Sequence, residues 1–242
     1  HAWHGWLFVK APQSFWFDVG NHRRYLRWLG KQLGYAEPAD WYRLTRSDLV
    51  AHHGAGLFVR YRSSIYDLVT SHFPDETWHP WLFQAVPLAF WKDIANRRAY
   101  LKWLGKQVGF KKPEDWYGIQ KSHLERYRGS GLLSPRYYRS AKDAARELYP
   151  EFDWKPWLFG KVAPGFWDKK ANRRAYLTWL GDRLGFRRPE DWYRVTWKDF
   201  VSNAGATLLS TSRSSIYWVL KDGFPGHRWD RSLLATDRSR RR

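Results

Sequence analysis

Apolar side chains return along this chain at steps of three and four. The clearest run is Tyr25, Leu26, Trp28, Leu29 and Leu33, which sets one apolar helix face over roughly 18–33. The same run recurs over roughly 93–108 and 169–184. No stretch sustains an alternation of period two, so little or no sheet is predicted. A short helix is predicted at Pro38-Ala-Asp-Trp-Tyr42 and again at Pro113–Tyr117 and Pro189–Tyr193, with proline first and an acid in the first turn. Thr45-Arg-Ser-Asp48 and Thr196-Trp-Lys-Asp199 read as capping boxes with Asp in place of Glu. They open a helix that ends near Gly54 and Gly205, with Gly129 in the equivalent place. A turn of about five to eight residues is then expected to lead into a last helix, over roughly 61–73, 137–149 and 212–224. Helices flanking a glycine turn have helix-turn-helix proportions.

These elements recur because the sequence does. Trp3, Trp78, Trp154 and Trp229 stand at steps of 75, 76 and 75 residues. From each of the first three the same pattern follows, including Asn172-Arg-Arg-Ala-Tyr-Leu-Thr-Trp-Leu-Gly181 in the third copy. Self-similarity at a fixed period means one structural unit used in tandem. The expected architecture is all-α, with helical repeats at 1–77, 78–153 and 154–228 forming an extended array. Each has about four helices including the helix-turn-helix-like corner, and 229–242 is a partial fourth start acting as a cap before a basic tail. The short Trp-x-x-Trp-Leu-Phe opening, followed by a proline at Pro12, Pro87 and Pro164, is expected to plug the preceding unit. Gly30, Gly105 and Gly181 fall inside the long helix at a cost of about 1 kcal/mol relative to Ala, which predicts close packing there. Gly34, Gly109 and Gly185 suit a left-handed helix stop.

Composition adds a charge argument. The chain of 242 residues has a formal net charge of +19, so it is expected to attract polyanions, nucleic acid first. Lys and Arg outnumber Asp and Glu by 9 to 7 in residues 3–77, by 14 to 8 in 78–153 and by 14 to 6 in 154–228. The tail ends in Arg240-Arg241-Arg242. Without cysteine, disulfides and thiolate zinc sites are excluded. The chain starts at His1 and contains no methionine, so it is expected to be a processed product or a segment of something longer. No apolar run is long enough for a transmembrane helix.

Comparing copies separates packing from candidate chemistry. The recurring tryptophans, with partners such as Trp28, Trp103 and Trp179, are assigned to cores and joints. Arg23, Arg98 and Arg174 recur in a first helical turn, where the helix dipole disfavours cations. Their expected compensation is a pair with Asp40, Asp115 or Asp191, or else a phosphate. The adjacent His22, Arg97 and Arg173 are expected to be exposed. Lys111-Lys112 and Arg187-Arg188, ahead of a helix N-terminus, are candidate phosphate contacts. The last helix varies most among copies. It contributes Arg62, Tyr66, Tyr138, Arg139, Lys142, Arg146, Arg213, Tyr217 and Lys221, which join Arg97 and Arg173 as candidate contacts to bases or phosphates.

No metal-ligand set, glycine-rich phosphate loop or nucleophile motif is present, and no cofactor or enzymatic activity is expected. The expected function is intracellular nucleic-acid binding by a monomeric array, duplex DNA ahead of RNA. The alternative is a basic, Trp-rich adaptor docking on an acidic protein surface or within a ribonucleoprotein assembly. Peripheral attachment to anionic membrane comes third, since no strongly amphipathic terminal helix is evident.

Overall fold

A computed structural model describes residues 4–7, 13–87, 89–213 and 215–234. Trp3, Pro12 and Arg240–Arg242 lie outside the described residues. Among the described residues every regular element is an α-helix or a short 3-10 helix, and none is a strand. The all-helical class expected from the periodicity is therefore the class of the structure.

The chain divides into two compact units. The first comprises His1–Gly109 with Lys121–Ser140, and the second Phe110–Gln120 with Ala141–Arg242. The division passes through the second copy of the sequence period.

In the first unit, α1 (Val19–Gln32) is capped by Asp18, whose carboxylate accepts from the Gly20 amide. After the 3-10 turn Pro38–Arg43 come three short helices, α2 (Arg46–Ala51), α3 (Ala55–Arg60) and α4 (Ile65–His72). The same unit holds α5 (Ile94–Val108) and α6 (Lys121–Arg126). The second unit holds α7 (Ala141–Leu148), α8 (Lys170–Leu184), α9 (Trp197–Ser202), α10 (Ala206–Thr211) and α11 (Ile216–Gly223). The capping boxes are present: the Asp48 amide donates to Thr45 Oγ1 at 3.1 Å and the Thr45 amide to Asp48 Oδ2 at 2.9 Å. Thr196 and Asp199 repeat this at 3.2 and 2.8 Å.

Two expectations change. The predicted turn before the last helix is itself helical, α3 in one place and α10 in another, with the 3-10 turn Ser130–Leu132 between them in sequence. Its glycines hid it, but burial of Leu57 and Phe58, and of Leu208 and Leu209, holds that face inward. The last helix is consequently shorter and begins at Ile65, Ala141 or Ile216. Ahead of α4 and α11, Arg62 (φ 52°), Ser63 (φ 59°) and Arg213 (φ 54°) are left-handed and cannot continue a helix.

Tyr25, Tyr100 and Tyr176 are fully removed from solvent, each among tryptophans. Tyr25 lies edge-on to Trp6 and Trp16 at ring distances of 5.5 and 5.3 Å. Tyr100 sits between Trp81 and Trp91, and Tyr176 between Trp157 and Trp167, in the same way. An aromatic ring buries about 200 Å², which at ~25 cal/mol per Å² contributes on the order of 5 kcal/mol as an upper bound. Trp41 and Trp192 account for the mid-helix glycines Gly30 and Gly181. A Cβ on Gly30 would stand 3.2 Å from the Trp41 ring, and one on Gly181 would stand 3.0 Å from the Trp192 ring.

Opening segments close the cores before them in sequence. Tyr42 packs on Trp78 and Phe83 and accepts a hydrogen bond from the His79 amide at 2.9 Å. Tyr117 does the same with Trp154, Phe159 and the Lys155 amide. Tyr193 packs on Trp229 and accepts from the Asp230 amide at 2.9 Å.

Candidate nucleic-acid interface

In the first and third copies the cation pair at the start of the long helix divides opposite to expectation, whereas Arg97 and Arg98 are both half-buried. His22 is buried, and its Nε2 lies 2.8 Å from the Trp16 carbonyl. Arg97 Nη1 donates to the Trp91 carbonyl at 2.8 Å and to the Lys92 carbonyl at 3.1 Å. Arg173 donates to the Trp167 and Asp168 carbonyls and pairs through Nε with Asp222. Here is the compensation that a cation at a helix N-terminus needs: it terminates the carbonyls of the 3-10 turn just before it. Arg97 and Arg173 are thus half-buried structural groups, while the neighbouring Arg23 and Arg174 are exposed.

The expected Asp partners are also used otherwise. Asp40 accepts from the Ala36 and Glu37 amides and pairs with Arg43 at 2.7 Å. Asp191 accepts from the Arg187 and Arg188 amides and pairs with Arg194 at 3.3 Å. Asp115 accepts from the Lys111 and Lys112 amides. Those amides, aimed at the carboxylate, hold all three Asp below their ordinary range. The N-terminal amides proposed for phosphate are therefore filled from within. What remains for a partner at Lys111, Lys112, Arg187 and Arg188 is their exposed side chains.

Tyr138 is buried at 2% exposure, which removes its ring from any partner. Arg139 beside it is exposed, as are Arg62, Arg146, Arg213 and Lys221. Tyr66 is half-buried against Phe83. Lys142 and Arg146 both lie 5.8 Å from the Phe159 ring centre, and Lys142 Nζ donates to the Lys161 carbonyl. Burial, and then the Arg146 charge, lower the Lys142 pKa. Lys221 lies 5.8 Å from the half-buried Tyr217 ring.

A basic groove lies elsewhere, along α1. Arg24, Arg27 and Lys31 follow one another on successive turns and border a cavity of about 610 Å³, whose wall is made by Trp6, Trp28 and His4. Among the described residues no carboxylate lines it. Arg24 makes one exposed ion pair outside it, with Asp18 at 3.7 Å. His4 stacks on Trp6 with ring centres 4.7 Å apart and an angle of 11°. These cations escaped the sequence reading because the first copy carries the smallest basic excess; their spacing of three and four on one helix was the available signal.

Among the described residues no cluster of His, Asp and Glu could hold a metal ion, and no helix is long and apolar enough to cross a membrane. Comparison of the chain with family models, with curated proteins and with solved structures finds no match.

Proposed function

We propose that this chain is a non-enzymatic nucleic-acid-binding protein built from three tandem helical repeats, 1–77, 78–153 and 154–228, with the segment after Trp229 as a cap. The observation that carries the reading is the groove along α1, where Arg24, Arg27 and Lys31 face solvent beside an aromatic wall with no carboxylate among them. Three cations on one helix face can neutralise phosphates, and the net charge of +19 adds long-range attraction. Duplex DNA is placed ahead of RNA because the short helical corners suit a major groove.

The test is a titration of fluorescent duplex DNA and RNA at about 50 and 200 mM salt, with the wild type and with Arg24→Gln/Arg27→Gln/Lys31→Gln. Affinity should fall steeply with salt, and the triple variant should flatten the log–log slope by up to about 2.7. Absence of salt-dependent binding to either polymer refutes the reading. A second reading, a protein adaptor, draws on Phe17 and Val59, which are 63% and 70% exposed. It expects a fixed protein partner that survives nuclease treatment.

A further inference from the structure

α11 carries a large apolar side chain that the core of its unit leaves uncovered. Trp157, Trp167, Trp192 and Trp229 of that unit are buried, whereas Trp218 is 41% exposed. The aligned positions in the other copies are Asp67 and Asp143, so an aromatic ring is not what this helix needs in order to form. The exposed indole sits among cations. Lys221 Nζ is 5.1 Å and Arg213 Cζ 5.9 Å from its ring centre. Arg231 lies 5.7 Å from the ring of the adjacent Tyr217.

Beside Trp218 opens a cleft of about 350 Å³, within the ~300–1,000 Å³ that small-ligand sites occupy. Its walls include Arg213, Thr211, Ser212 and Asp168, and its ion pair Arg173–Asp222 fixes the side facing the long helix. The wall is mixed in a particular way. Asp168 brings one carboxylate, without a salt-bridge partner among the described residues, into the cleft beside the Thr211 and Ser212 hydroxyls, which can accept or donate, while Lys221 and Arg213 lie over the ring. A flat, neutral group with N–H donors at its edge fits the interior, and phosphates fit the flanking cations.

We infer that this cleft takes one unpaired nucleobase of a single strand, stacked on Trp218, with the neighbouring phosphates on Lys221 and Arg213. The inference rests on the nucleic-acid reading and sharpens it. A paired base shows a protein only its edges, so stacking on an indole face requires a base outside its own helix.

The test compares wild type, Trp218→Ala and Trp218→Phe on a labelled single strand, the same strand with abasic sites, and the matching duplex. Circular dichroism melts should show all three proteins equally folded, because the exposed ring is not part of the core. Trp218→Ala should lose about tenfold on the intact strand, with Trp218→Phe retaining most of the affinity. The duplex, and the abasic strand, should not distinguish the variants. Equal binding of all three proteins to the intact strand, with salt-dependent duplex binding preserved, overturns the stacking site and leaves the general reading standing. Loss of binding to every polymer at low salt overturns both. Displacement of the strand by polyglutamate at equal charge, as readily from wild type as from Trp218→Ala, assigns the patch to acidic protein and overturns the inference.

Discussion

Position 22 carries histidine where the aligned positions 97 and 173 carry arginine, and the local chemistry of the first copy follows from that change. With Nε2 donating to the Trp16 carbonyl, His22 has Nδ1 left as an acceptor, 3.1 Å from the Tyr61 hydroxyl. That hydroxyl is 2.8 Å from His72 Nε2, which therefore serves as the donor. The chain of bonds ends at His72 Nδ1, buried and without a partner. A proton added there would be both buried and unpaired. Burial first, then the His22 and Arg23 charges, lower the His72 pKa from 6.5 to about 4. The unfolded chain binds this proton below pH 6.5 and the folded chain does not, so stability should fall as pH drops from 6.5 towards 4. Urea midpoints across that window should show the decline in wild type and a shallower one in His72→Asn. A flat wild-type profile refutes this account.

At the scale of elements, the short helices at each corner are held by contact with the buried tyrosine. Gly205 caps α10, and a Cβ there would stand 2.1 Å from the Tyr176 hydroxyl oxygen. The same hydroxyl donates to the Asn203 carbonyl at 3.1 Å, so it cannot swing away without breaking that bond. Gly205→Ala should therefore destabilise the second unit by about 1–3 kcal/mol, through overpacking. Gly226→Ala, where nothing lies within 4 Å, is the matched control and should melt within a degree or so of wild type. Equal melting temperatures for the two variants would remove Tyr176 as the brace of the corner. The element boundaries show where local signals mislead: Ala55-Gly56 reads as a turn, yet its neighbours Leu57 and Phe58 enter the core and carry the backbone into α3.

At the scale of the molecule, each tyrosine after the Asp-Trp pair ties its core to a segment further along the chain. In the second unit Tyr193 does so with residues 229–234, where Leu234 and Trp229 are 1% and 9% exposed. Tyr193→Phe removes the acceptor of the Asp230 amide and should cost about 1 kcal/mol. Trp229→Ala should cost about 3–5 kcal/mol, since Tyr193 and Phe224 both lose the ring that covers them. Chemical denaturation followed by hydrogen exchange would place both losses in the second unit. Full stability of Trp229→Ala would show that the segment decorates the core without closing it.

The period of the tryptophans, the three long helices, both capping boxes and the close packing of Gly30 and Gly181 were legible from residue types and spacing alone. Each depends on neighbours within a few turns of the same helix, or on a tryptophan ring close enough that an added Cβ would press on it. The charge of +19 is likewise a property of the sequence. Only the tertiary structure decided which cations are free. Arg173 looked exposed by position and is anchored by two carbonyls and Asp222, because the end of the preceding 3-10 turn folds back over it. Tyr138 looked like a contact residue and is core. Arg24, Arg27 and Lys31 line a groove because the opening segment with His4 and Trp6 packs beside α1, and the exposed Trp218 borders a cleft whose other wall comes from Trp167, Asp168 and Arg173. Propensity and periodicity fix what each segment forms, whereas exposure belongs to the packed whole and is set by contacts that no local pattern encodes.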